Sequence, residues 1–178
     1  MKNAKIILLL MAAVFMAGGC MSRALKESVG AVTGAKGVYR EVDRTGSLAA
    51  YQNFEVASFT DDFKGQAPRA LLSKIPAEIQ KALKKSELPV GKAGKTLLIR
   101  GSVFYFEKAG AMGQAFGPFE EVITTVELVD KATDQVIGQA VCIGRSTQTV
   151  NMGLDKKAQG VAKAVVKWIK SKRPKEGK

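Results

Sequence analysis

The segment Glu121 to Asp130 alternates in character, with Val122, Thr124, Val126 and Leu128 on one side. Alternation with a period of two is the pattern of a strand buried on one face. A short polar loop, Asp130-Lys-Ala-Thr-Asp-Gln135, follows, and then a second β-rich run from Val136 to Arg145. Two such runs joined by a polar turn predict an antiparallel hairpin. A hairpin with one apolar face needs a layer to cover it.

Two segments have the pattern to supply that layer. From Pro68 to Lys85, the residues Leu71, Leu72, Ile75, Ile79, Ala82 and Leu83 fall within one arc of about 120° at helical spacing. Lys74, Lys81, Lys84 and Lys85 lie outside it. Pro76 either kinks this helix or opens a second piece of it. From Leu154 to Lys170, Leu154, Ala158, Val161, Val165, Trp168 and Ile169 form one face, and Lys156, Lys163, Lys167 and Lys170 the opposite one. The folded part is expected to begin near Tyr51 with one short strand, where Phe54, Val56 and Ser58 alternate with Glu55, Ala57 and Phe59, and a further strand is expected from Thr96 to Glu107. The order is strand, helix, three strands, helix. The expected class is α+β: a mostly antiparallel sheet of about four strands with two helices packed on one face.

Ahead of this domain, Lys2 and Lys5 precede an uncharged apolar run, Ile6 to Ala17. The run is shorter than the about 20 residues that span a bilayer and has the length of a signal-peptide core. It leads into Ala17-Gly18-Gly19-Cys20, which resembles the lipobox of bacterial lipoproteins, with Ala17 where leucine is commoner. The resemblance implies cleavage before Cys20 and acylation of that cysteine, with palmitate among the expected chains. It also implies a place on the periplasmic side of the outer membrane, because Met21 stands where an aspartate tends to retain lipoproteins at the inner membrane. The expected organisation is a signal peptide over 1–19, a lipidated cysteine and flexible tether over 20–50, a periplasmic domain over 51–170 and a basic disordered tail over 171–178. Glycines 30, 34 and 37 fit a tether, although Val38 to Val42 is a candidate short strand.

Three further segments resemble a lipoprotein family known as domain of unknown function 4410: Phe54-Glu-Val-Ala-Ser-Phe-Thr-Asp-Asp62, Thr96-Leu-Leu-Ile-Arg-Gly-Ser-Val103 and Val126-Glu-Leu-Val-Asp-Lys-Ala-Thr-Asp-Gln-Val136. The family's turn continues Thr-Gly where this chain has Thr133-Asp134. The family has no established activity, so this resemblance bears on location and fold.

Chemistry is narrowed by what is missing. The chain has no histidine, which removes the usual general base at neutral pH and every Ser-His or Cys-His pair. With Cys20 acylated, Cys142 has no partner for a disulfide and too few companions for an ordinary zinc site. It sits in the run Val141-Cys142-Ile143 and reads as a small buried hydrophobe. Adjacent acids at Asp61-Asp62 and Glu120-Glu121 lack further ligands at a known spacing. No catalytic residue, metal or cofactor is expected.

The formal charge of +12 falls to +10 once Lys2 and Lys5 leave with the signal. For a periplasmic protein the natural anionic counterpart is a lipid headgroup rather than nucleic acid. The lysines 156, 163, 167 and 170 either contact such a surface or form the wet side of their helix. Gly110 to Gly117 lacks the Gly-Lys-Ser/Thr of a phosphate loop. Its apolar Met112 and Phe116, with Phe119, either contact a protein partner or the membrane, or fold back on the sheet. The sequence reading is a membrane-anchored, non-catalytic binding or assembly module with an envelope protein partner and undefined oligomeric state. The alternative is a carrier enclosing a small ligand or lipid between sheet and helices.

Overall fold

A computed structural model describes residues 34–86, 88, 94–107, 120–146 and 153–174. Five strands, β1 (Ala35–Asp43), β2 (Tyr51–Asp61), β3 (Lys95–Phe106), β4 (Glu120–Asp130) and β5 (Gln135–Ser146), form one sheet in the order β1-β5-β4-β3-β2. Helices α1 (Arg69–Lys85) and α2 (Gly153–Ser171) complete it. Only β2 and β3 run parallel. They are joined through α1, as a parallel pair requires a long crossover. Every other pairing is antiparallel.

One face of the sheet is the core. Alternate residues Leu97, Ile99 and Val103 of β3, Val122, Val126 and Leu128 of β4, and Ala140 and Cys142 of β5 are buried under the helices. α1 contributes Leu71, Ile75 and Ile79, and α2 contributes Val161, Val165, Trp168 and Ile169. α1 covers β2 and packs beside α2, which covers β1, β5 and β4. Pro76 lies inside a single continuous α1.

The sheet has five strands, against about four expected. The additional strand, β1, comes from the stretch assigned to the tether. Its inward side chains are Ala35, Gly37, Tyr39 and Glu41, a set with too few apolar members to read as a buried face. Residues 171–173, assigned to the disordered tail, are also tied down. The Lys172 carbonyl accepts from the Leu48 amide at 2.9 Å, and the Arg173 guanidinium stands 6.0 Å over the Phe54 ring.

Glycine explains how β1 docks. Gly37 and Gly144 are direct partners across β1 and β5, and Gly160 of α2 sits on both. A methyl group at Gly37 would lie 2.0 Å from the Gly160 carbonyl oxygen, and one at Gly144 would lie 2.1 Å from that of Lys157. The helix backbone therefore rests on the strand backbones. At the far end of α2, the Trp168 indole N–H donates to Glu41 at 2.7 Å and the Lys172 ammonium donates to the same carboxylate at 2.8 Å. Burial pushes the Glu41 carboxyl up, but the bonds from Lys172 and Trp168 outweigh it and hold it below its ordinary value.

A second tie joins β2, β3 and the hairpin. Asp130 is 4% exposed. It accepts from the Tyr51 hydroxyl at 2.9 Å, the Lys95 ammonium at 3.0 Å and the Ala132 amide at 3.0 Å. The Lys95 and Tyr51 bonds bring its carboxyl down to about 2, and burial beside Asp130 pushes the Tyr51 hydroxyl up to about 12. A depressed carboxyl stabilises the fold above its unfolded value of about 3.9 and loses that contribution as pH falls through the folded one. Acid unfolding is therefore expected to steepen between about 3.9 and 2. The Asp130→Asn variant, followed by circular dichroism, is expected to lose that steepening. The turn beyond it places Asp134 at φ 54°, the left-handed region where glycine is easiest and aspartate is tolerated.

Candidate binding surfaces

The face of the sheet opposite the helices carries no described helix. Its side chains line up in rows set by the strand register. Val38 pairs with Ile143, Ile143 with Ile123, and Ile123 with Tyr105, so an apolar row crosses β1, β5, β4 and β3. Its two ends are the more open, Val38 at 42% and Tyr105 at 36% exposure. The Phe63 ring extends the row, 5.9 Å from that of Tyr105. A mixed row, Arg40, Val141, Thr125, Ser102 and Thr60, runs beside it.

Ion pairs frame these rows. The Arg145 guanidinium donates to Glu121 at 2.9 Å on one side, and Arg100 donates to Glu127 at 2.8 Å on the other. Near Arg100 the sheet bends into a depression of about 430 Å³ bordered by Ser58, Thr60, Asp62, Thr125 and Gln139. The register shift in β2 between Val56 and Phe59 helps to form it. A second depression, of about 600 Å³, lies between β2 and α1, where Phe54, Gln80, Leu83 and Lys84 meet.

The expected lysines Lys163, Lys167 and Lys170 are exposed on α2, and Lys156 is half-buried. Lys163 is partly engaged, its ammonium donating to the Ala35 carbonyl at 2.8 Å. Lys74, Lys81 and Lys85 of α1 fall within about 40° of one another at 100° per residue. The Lys74 ammonium reaches Asp155 of α2, so this arc faces the seam between the helices. The four expected lysines are thus half of a two-helix surface, and the α1 half follows only from the packing. Cys20, Met112, Phe116 and Phe119 lie outside the described residues.

Of the paired acids, Asp61 is occupied in the fold. Its carboxylate accepts from the amides of Phe63 at 2.7 Å and Ala67 at 3.2 Å, closing the loop into α1. Asp62 is exposed at the polar depression. Among the described residues, no three His, Cys, Asp or Glu side chains are grouped to hold a metal ion. Burial pushes the Cys142 thiol up to about 12, so it is neither ionised nor accessible at neutral pH.

Lys157 is a residue that sequence reasoning missed. It is 1% exposed, and its ammonium donates to the Glu107 carbonyl at 2.7 Å and stands 4.3 Å over the Phe106 ring. The signal was present, since Lys157 sits one turn before Val161 on the apolar side of α2.

No family model matches the chain, and no curated protein matches it in sequence. Among solved structures, the PelC dodecamer of Paraburkholderia phytofirmans aligns with 72% of this chain and 94% of its own, at 17% identity and a TM-score of 0.52. This chain shares the PelC fold. A Xanthomonas campestris protein of family DUF330 aligns with 70% of this chain and 87% of its own, at 12% identity and a TM-score of 0.46. A candidate lipoprotein of Caulobacter crescentus aligns with 68% and 93%, at 12% identity and a TM-score of 0.37. The likeness to PelC bears on the fold, and the other two are weaker.

Proposed function

We propose that this chain is a lipid-anchored module of the bacterial envelope that acts by binding protein rather than by catalysis. An acylated Cys20 holds it on the periplasmic side of the outer membrane. The observation that carries this reading is the apolar row Val38-Ile143-Ile123-Tyr105 on the open sheet face. A continuous apolar strip bordered by charged pairs has the character of a protein contact surface. The carrier alternative needs a chamber between sheet and helices, where Leu71, Ile75, Ile79, Trp168 and Ile169 are fully buried in contact with the sheet. Because the PelC structure of the same fold is a dodecamer, a second copy of the chain is the first partner to test.

Site-specific photo-crosslinkers at Val38 and Tyr105, in cells making the full chain, are expected to give adducts of discrete mass. A ladder of multiples of the chain would identify self-association, and a different mass a separate partner. A crosslinker at Ala77, on the outer side of α1, serves as the control. Sheet-face positions that give no adduct, or only the control pattern, contradict the proposed surface. Met112→Ser with Phe116→Ser is expected to weaken the same adducts if that loop shares the contact. Native mass spectrometry checks the anchor through the mass of acylated Cys20.

A further inference from the structure

The charge of the domain is divided between its two layers. The helices α1 and α2 carry ten basic residues and two acidic ones. The five strands carry five basic residues and eight acidic ones. Both helix acids already meet lysines, Asp155 with Lys74 and Glu78 with Lys81. The helices are adjacent and lie on one side of the sheet. Lys157 is buried on the apolar side of its helix, and the other nine basic residues put the excess positive charge on one face, with the net negative charge in the layer behind it.

We infer that the two-helix layer docks on a bilayer surface of anionic phospholipid, turning the open sheet face away from the membrane. The inference rests on the reading of the chain as a membrane-anchored protein and adds its orientation and the lipid class. Three features favour a lipid surface over a compact soluble anion. The charges are spread along helices of 17 and 19 residues, roughly 25 to 29 Å at 1.5 Å per residue. No single phosphate spans that distance. Apart from the buried Lys157, eight of the nine basic residues are lysines, whose flexible point charges suit diffuse attraction, whereas arginine suits bidentate recognition. The apolar side chains of both helices are turned into the core, so contact is through headgroups rather than by insertion.

The test uses the mature chain from residue 20 with Cys20→Ser, so that neither acyl chains nor the apolar run Ile6 to Ala17 masks the effect, and flotation with vesicles. One vesicle is pure phosphatidylcholine; the other carries about a third phosphatidylglycerol, a composition that supplies the surface charge this attraction needs. Binding is expected to be much stronger to the second and to fall steeply with added salt. Lys167→Gln with Lys170→Gln is expected to weaken it about 25-fold, at about fivefold per lysine. Lys81→Gln with Lys85→Gln on α1 should do the same. Arg40→Gln, on the opposite face, should change it little. All five side chains are exposed, and the melting temperature of each variant checks the fold.

Equal binding to both vesicles, or helix variants that bind like the parent, would overturn the inference. So would retention by a soluble polyanion such as heparin without vesicle binding, which points to a polymer. Crosslinked adducts from Val38 and Tyr105 that persist in that event would leave the proposed function standing. Loss of those adducts with lipid dependence intact would remove the protein-binding reading instead.

Discussion

Gly160→Ala is expected to lower the melting temperature by about 10 °C or more, corresponding to roughly 3 kcal/mol of overpacking. The sign is diagnostic. In an exposed helix interior the same change stabilises by about 1 kcal/mol, because alanine is the better helix former. Here the added methyl would meet the Lys36 carbonyl oxygen at 2.5 Å and the Gly144 α-carbon at 2.7 Å. Both are backbone atoms of paired strands and do not rotate aside. Gly37→Ala and Gly144→Ala press on the same contact from the strand side and should be at least as damaging. Thermal melts of the three variants check this, and a melt at or above the parent for Gly160→Ala would contradict the close helix-on-strand packing.

Trp168→Ala is the second large effect, with an expected loss of about 3–5 kcal/mol, a large share of the 5–15 kcal/mol typical of a domain. The side chain is fully buried, stacks on Tyr39 with ring centroids 6.4 Å apart and donates to Glu41. Trp168→Phe separates the contributions. It keeps a six-membered aromatic ring and removes the N–H donor with the fused pyrrole, for an expected loss of about 1–2 kcal/mol, while Lys172 still holds Glu41. The chain has one tryptophan. Its emission is expected to be blue-shifted in the parent and to move red on denaturant unfolding, so the same residue reports the transition in every other variant.

What could be read from the sequence was what repeats locally. The β4–β5 hairpin and both helices were predicted to within one or two residues, because each carries its own period over ten or more positions. The weakly readable elements depend on distant partners. β1 presents glycine, tyrosine and glutamate to the core, and these make a buried face only because Gly160 and Trp168 approach from the end of the chain. The row on the open face joins Val38, Ile143, Ile123 and Tyr105, which no local window contains. Its assembly depends on three separate registers. The α2 lysines were visible as a stripe, whereas their continuity with α1 needed the helix pairing.

One consequence of the sheet order concerns assembly in time. β1 is the first strand of the sheet to be synthesised, yet it pairs with the last, Ala35 opposite Ser146. It is also held by the helix that follows that strand. Such a distant closure is entropically expensive and slow relative to local hairpins. β1 therefore waits as an unpaired ribbon until β5 and the helix after it have been made. The charges it carries, Lys36, Arg40, Glu41 and Asp43, keep that waiting ribbon from sticking to its neighbours.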